Sequence, residues 1–100
     1  MIAYVSNAES RDISVLLLND RDGSLRLIET VSVTGDVMHL ATSPDRKFLY
    51  ASLTSKPYSV SNWMIDPESG RLGPMQTAPA ADKMAYLSLD RSGRYLFGAS

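Results

Sequence analysis

The stretch Ser43-Pro44-Asp45-Arg46-Lys47-Phe48-Leu49-Tyr50-Ala51-Ser52-Leu53-Thr54 decides how the chain is read. It opens with turn formers and passes into a short run rich in aromatic and apolar residues. Pro44 can preset φ for a turn, and Asp45 can accept hydrogen bonds from nearby backbone. Phe48 to Thr54 is too short for a typical helix and has the composition of a strand. The motif returns, altered, as Leu89-Asp90-Arg91-Ser92-Gly93-Arg94-Tyr95-Leu96-Phe97-Gly98.

Working outward, the echo extends through the chain at a separation of 47 residues. Gly23 falls on Gly70, Leu25 on Leu72, Thr30 on Thr77, Leu40 on Leu87 and Leu49 on Leu96. Conservative pairs share the register: Leu18 with Ile65, His39 with Tyr86, Lys47 with Arg94, Phe48 with Tyr95. Ile2 to Ser6 matches Phe48 to Ser52 at a shift of 46, so one residue is lost or gained in the loop after Ser6. A period in this range belongs to propellers or to helical solenoids. The turn clusters Asn19–Gly23, Ser43–Arg46, Asp66–Gly70 and Asp90–Gly93 interrupt the chain too often for long helices, and strand-length apolar runs lie between them.

One repeat is expected to hold strand A at His39–Ser43, B at Phe48–Thr54, C at Ser59–Asp66 and D at Leu72–Thr77, with the next strand A at Met84–Asp90. Four antiparallel strands per repeat, joined to the next repeat by a longer loop, define a β-propeller blade. The expectation is an all-β fold built from such blades. Residues 1–34 would supply strands B–D of one blade, 35–82 a complete blade, and 83–100 the first two strands of a third. Blades bury their faces against neighbours, so this length leaves apolar faces to be covered. They would be covered by the remaining blades of a longer protein, of which this would be the N-terminal part, or by self-association.

Composition narrows the function classes. Of 100 residues, 44% are hydrophobic and 21% charged, with a net charge of -1, which is ordinary globular usage. Nothing in that balance calls for nucleic acid or an anionic membrane surface. No apolar run approaches the roughly 20 residues of a membrane span, and no N-terminal signal pattern is present. There are no cysteines, so disulfides and thiolate metal sites are excluded, and a cytoplasmic setting is expected. No Gly-rich phosphate loop, Gly-x-Ser-x-Gly elbow or His-rich metal spacing occurs. Neither a metal nor a cofactor is expected.

The motif Ser43–Ala51 with its echo Leu89–Gly98, and the turns Asp66-Pro67-Glu68-Ser69-Gly70-Arg71-Leu72 and Asn19-Asp20-Arg21-Asp22-Gly23-Ser24-Leu25, resemble the blade signature of the lactonase family. Tyr4-Val5-Ser6-Asn7 is similar to that family's opening strand. The resemblance covers the whole chain. It implies a seven-bladed propeller and hydrolysis of a sugar-acid lactone such as 6-phosphogluconolactone, with a small anionic lactone or sugar acid as ligand. It also implies that the family's catalytic His, Glu and Arg residues belong to later blades, so no catalytic position is assigned here. The competing expectation is a non-catalytic propeller acting as a binding scaffold, because fold does not dictate function.

In a propeller the A–B and C–D hairpin turns share one face, and the B–C and D–A loops share the other. We call these the turn face and the loop face. Propeller ligands favour the loop face, which here carries Asn7, Glu9, Arg11, Asp36, His39, Lys56, Tyr58, Lys83 and Tyr86. Four residues are the expected substrate-binding positions: His39, Arg11, Lys56 and Asn7. His39, the single histidine, could act as a general base or bind an anion. It could equally be the packing residue that Tyr86 is in the next repeat. Arg11 and Lys56 could attract a phosphate or carboxylate, or be ordinary surface charges. Asn7 could hold a substrate oxygen or cap a turn. Trp63 reads as packing between blades, and Asp45 and Asp90 as turn residues. An acidic metal site at Asp20 and Asp22 is weak, because Asp-x-Asp-Gly is also a common turn.

Overall fold

A computed structural model describes residues 2–80, 86–89, 91–92 and 96–99. Within them the strands are β1 (Ile2–Asn7), β2 (Asp12–Leu18), β3 (Leu25–Ser32), β4 (Val37–Thr42), β5 (Phe48–Leu53), β6 (Ser59–Ile65), β7 (Leu72–Pro79), β8 (Tyr86–Leu89) and β9 (Leu96–Ala99). They form three antiparallel sheets in chain order: β1-β2-β3, β4-β5-β6-β7 and β8-β9. The fold is all-β, as the strand-length runs and frequent turns require. No helix of the described residues is long and apolar enough to cross a membrane. β2 and β6, and likewise β3 and β7, begin 47 residues apart, whereas β1 and β5 begin 46 apart. The repeat in sequence is thus a repeat in structure, one residue short at the first loop. The expected start of a strand at Met84, and the turn assigned to Asp90, lie outside the described residues.

Alternation along the strands builds the core. In the second sheet Leu49 pairs with Trp63, Ala51 with Ser61 and Leu53 with Ser59, so these residues share one face. That face packs on the face of the first sheet carrying Tyr4, Ile13 and Val31. Ile13, Val33, Val37, Leu49, Ala51, Leu53 and Trp63 form a buried cluster, with Tyr4, Val31, Leu40, Ile65 and Leu72 packed around it. Trp63 is 1% exposed and is the largest fully buried side chain among the described residues. Buried serines on both faces of the second sheet are hydrogen-bonded. Ser61 and Thr77 join through their hydroxyls at 2.9 Å, and Ser52 Oγ accepts the His39 N–H at 3.1 Å.

Polar contacts lock the two sheets together near the turn face. The Tyr4 hydroxyl donates to the Gly70 carbonyl at 2.7 Å. Burial first, and then the nearby Glu29 carboxylate, raise the Tyr4 pKa above the usual phenol value. Glu29 Oε1 accepts the Leu72 N–H at 2.8 Å, and its other oxygen faces Arg71 at 3.5 Å. Gly70 is required here twice over. Its φ is +77°, a region costly to other residues, and a Cβ would lie 2.7 Å from Ile2 Cγ1.

The turn face is built from short-range aspartate chemistry. Asp66 Oδ1 accepts the Glu68 and Ser69 N–H groups at 2.8 and 3.1 Å. Asp45 Oδ1 accepts the Ser43 hydroxyl at 2.6 Å and the Lys47 N–H at 3.0 Å. Asp22 Oδ1 accepts the Ser24 N–H at 2.9 Å. These bonds hold all three carboxyls below the ordinary aspartate pKa: the Ser43 hydroxyl leads at Asp45, the Ser24 N–H at Asp22 and the Glu68 N–H at Asp66. The roles read for Asp45 and Asp66 in sequence are the roles seen. β7 ends the second sheet as an edge strand. Gly73 and Pro74 occupy the irregularity between the Trp63 and Ile65 pairings, where a missing N–H is tolerated.

The packing and the turns can each be tested by substitution. Trp63→Ala is expected to cost about 3–5 kcal/mol of stability, the range for emptying a buried aromatic site. Denaturant unfolding would show it, and a loss under about 1 kcal/mol would contradict the packing. A carboxyl with a depressed folded pKa contributes stability in full above the unfolded pKa, and loses it as pH falls through the folded value. The destabilisation by Asp45→Ala should therefore be greatest at neutral pH and shrink below about pH 4. A penalty that stays constant from neutral pH to strongly acidic pH would exclude the turn role.

Candidate functional site

Strand direction sorts the connections as expected. The β1–β2, β3–β4 and β5–β6 links emerge together on the loop face, while the β2–β3, β4–β5 and β6–β7 turns emerge opposite. The four nominated residues all lie at the loop-face end of their elements, in different chemical states.

Asn7 closes the β1–β2 hairpin. Its amide donates to Asp12 Oδ1 at 2.8 Å and to Ser14 Oγ at 2.9 Å, so both amide protons are used within the hairpin. Arg11 sits in the same link in the left-handed region, at φ 56°. That conformation is uncommon for a residue with a side chain. It is held by its carbonyl, which accepts the Val33 N–H at 2.9 Å. Its side chain also holds it, since Nε meets Asp36 Oδ1 at 3.0 Å in an exposed ion pair. Such a pair adds little stability, but it cancels the Arg11 charge at close range.

Asp36 continues the connection. Its N–H donates to Ser55 Oγ at 2.9 Å, and its carbonyl accepts the Thr54 N–H at 2.8 Å. The residue before it, Gly35, is buried, and a Cβ there would overlap Ser55 Oγ. Arg11, Asp36 and Ser55 thus form one chain of contacts that ends next to Lys56. Lys56 is exposed, precedes Pro57 through a cis peptide, and makes no ion pair among the described residues.

His39 is half-buried on β4, beside a register irregularity between the Val37 and Leu40 pairings. Ser52 Oγ takes its N–H there, and Ser6 Oγ donates to the neighbouring Met38 carbonyl at 3.0 Å. Such bulges re-aim side chains, and they recur beside functional sites. Lys83 lies outside the described residues.

A cavity of about 390 Å³ opens at the loop-face end of the second sheet, against the link from β3 to β4. It is walled by the Thr34–Gly35 corner, the segment from Leu53 to Ser59, and Thr77 and Pro79 of β7. Among the described residues Lys56 is the charged side chain in its wall. The sequence alone singles out Lys56 and Tyr58 but not Thr34, Gly35, Ser55 or Thr77, which come together only through sheet packing. Gly35 is the available signal: it is a glycine with no counterpart one repeat later, where Asp82 stands. Among the described residues no three of His, Asp and Glu converge as metal ligands.

The repeated antiparallel meander, four-stranded in the second sheet, and its shared loop face define a propeller. The whole chain, residues 1–100, matches the family described as Lactonase, 7-bladed β-propeller, and it belongs to that family. Relatives include the 6-phosphogluconolactonase of Enterobacter sp. strain 638, which is 36% identical over 97% of this chain and 29% of its own length. That of Xenorhabdus nematophila is 35% identical over 99% of this chain and 29% of its own length. The crystal structure of a candidate 6-phosphogluconolactonase from Bacteroides uniformis superposes with a TM-score of 0.89 at 25% identity, covering 98% of this chain and 29% of that one. The chain thus spans less than a third of the length of these relatives.

Gly35→Ala should displace Ser55, break the Asp36–Ser55 bond and cost about 1–3 kcal/mol. Stability measurements on this variant and on Ser55→Ala check it. A Gly35→Ala protein as stable as the parent would show that the close approach is not required.

Proposed function

We propose that the protein is a lactone hydrolase acting on a sugar-acid lactone such as 6-phosphogluconolactone, in the cytoplasm. The observation that carries this reading is the agreement of curated relatives. Full-chain similarity at 33–36% identity runs to proteins named 6-phosphogluconolactonase. The cytoplasmic setting rests on the substrate class and the absence of cysteine.

In this reading residues 1–34, 35–82 and 83–100 are strands B–D of one blade, a complete blade and the first two strands of a third. The strand order and the offset of 47 support that division. The face of the first sheet turned away from the second carries Val5, 43% exposed, and Leu27, 56% exposed. Further sheets of the same protein cover it, since a bare apolar face of this kind is unfavourable in water.

The chemistry asked of the site is modest. Water attacks the lactone carbonyl, the ring C–O bond breaks, and a carboxylate, a hydroxyl and a proton result. A base activates the water, donors stabilise the developing oxyanion, and cations hold the anionic substituent. The loop face of this chain contributes to the binding rim, with Lys56, Arg11, His39 and Asn7 along it, and other sheets supply the catalytic groups. The complete protein should accelerate hydrolysis of 6-phosphogluconolactone by at least about a hundredfold, the lower range for a positioned acid–base group, followed as acid release. No acceleration across a panel of acidic lactones would favour a binding scaffold instead.

A further inference from the structure

Among the described residues the loop face offers two cations from successive sheets, Arg11 and Lys56, and the structure treats them differently. Arg11 is spent: its guanidinium lies 3.0 Å from the Asp36 carboxylate. Lys56 has no such carboxylate among the described residues, and it lines the cavity. Around the same space stand the hydroxyl-bearing side chains Thr34, Ser55, Tyr58, Ser59 and Thr77. Ser55 Oγ accepts the Asp36 N–H, which leaves its own proton to donate. The cavity of about 390 Å³ is within the roughly 300–1,000 Å³ usual for small-molecule sites. One ammonium among several hydroxyls, against aliphatic carbon, suits a molecule with one anionic group and several hydroxyls of its own.

We propose that this cleft between the β3–β4 link and the second sheet binds the anionic polyol end of the substrate. In this arrangement Lys56 contacts the anion, and Arg11 acts as a positioning residue that fixes the Gly35–Asp36 wall through its ion pair. The proposal rests on the lactonase reading for the identity of the ligand, but not for the existence of the site. A sugar acid and a sugar phosphate share the chemistry it recognises.

The test uses the complete protein and two probes, gluconate and glucose 6-phosphate, titrated calorimetrically at low salt, with neutral glucose alongside. At least one anion should bind about tenfold or more tightly than glucose, as one charge-assisted contact provides. Comparing the two distinguishes carboxylate from phosphate. Lys56→Met should reduce that affinity to the level of glucose. Lys47→Met removes an equal charge on the turn face and should change it less than about twofold. Lysine acetylation read by mass spectrometry gives a second measure: the anion should protect Lys56 and leave Lys47 reactive. Equal losses in the two variants, an unprotected Lys56, or no saturable binding would overturn the cleft. Protected binding without lactone turnover would keep the cleft and overturn the lactonase reading. Turnover with Lys56 unprotected would do the reverse.

Discussion

The contact on which the rest depends is the packing of one sheet's apolar face on the next. Ile13 and Val31 of the first sheet meet Leu49, Ala51, Leu53 and Trp63 of the second across a shared core. Neither sheet has a second layer of its own among the described residues, so the hydrophobic gain is made between repeats rather than within one. The polar bridges between the two sheets are arranged around this seam. Tyr4 and Glu29 fasten one end of it through Gly70 and Leu72, and the Arg11–Asp36–Ser55 chain bridges the other. The cavity lies beside this second bridge, between the Thr34–Gly35 corner and the second sheet.

This division of labour separates the two faces chemically. On the turn face, each aspartate spends one oxygen on backbone N–H groups two or three residues away, which fixes the hairpins. On the loop face the connections are no longer, but polar groups such as Arg11 and Asp36 bond across sheets. Contacts there depend on how neighbouring repeats sit, and side chains such as Lys56 are left facing a cleft.

The fold was legible because its signals are local or periodic. Turn formers mark the hairpins, aromatic runs mark β5 and β9, and the 47-residue register carries the strand pattern from one sheet to the next. The roles of Trp63, Asp45 and Asp66 could be read from the same signals. The site was legible only in part. The sequence names the loop-face residues, but it does not distinguish a neutralised arginine from a lysine without an ion partner, since Asp36 lies far from Arg11 in the chain. The bulge beside His39 and the close approach of Gly35 to Ser55 have no local signature. The left-handed Arg11 ends a local turn, its N–H donating to the Ala8 carbonyl, as the left-handed Arg46 does to Ser43. Asn7 differs, because its amide bonds the Asp12 and Ser14 side chains within its own hairpin.

Pro74, on the outer edge of the second sheet, has a further consequence. The outermost strand of any open sheet presents a row of unsatisfied donors and acceptors to which a stray strand can anneal. A residue without an N–H breaks that row in β7. One repeat earlier the same place is Leu27, which keeps its donor and is more than half exposed. Resistance to strand-on-strand aggregation is therefore uneven between repeats. The second is guarded by backbone chemistry, whereas the first has the exposed charge of Arg26 to discourage a newcomer.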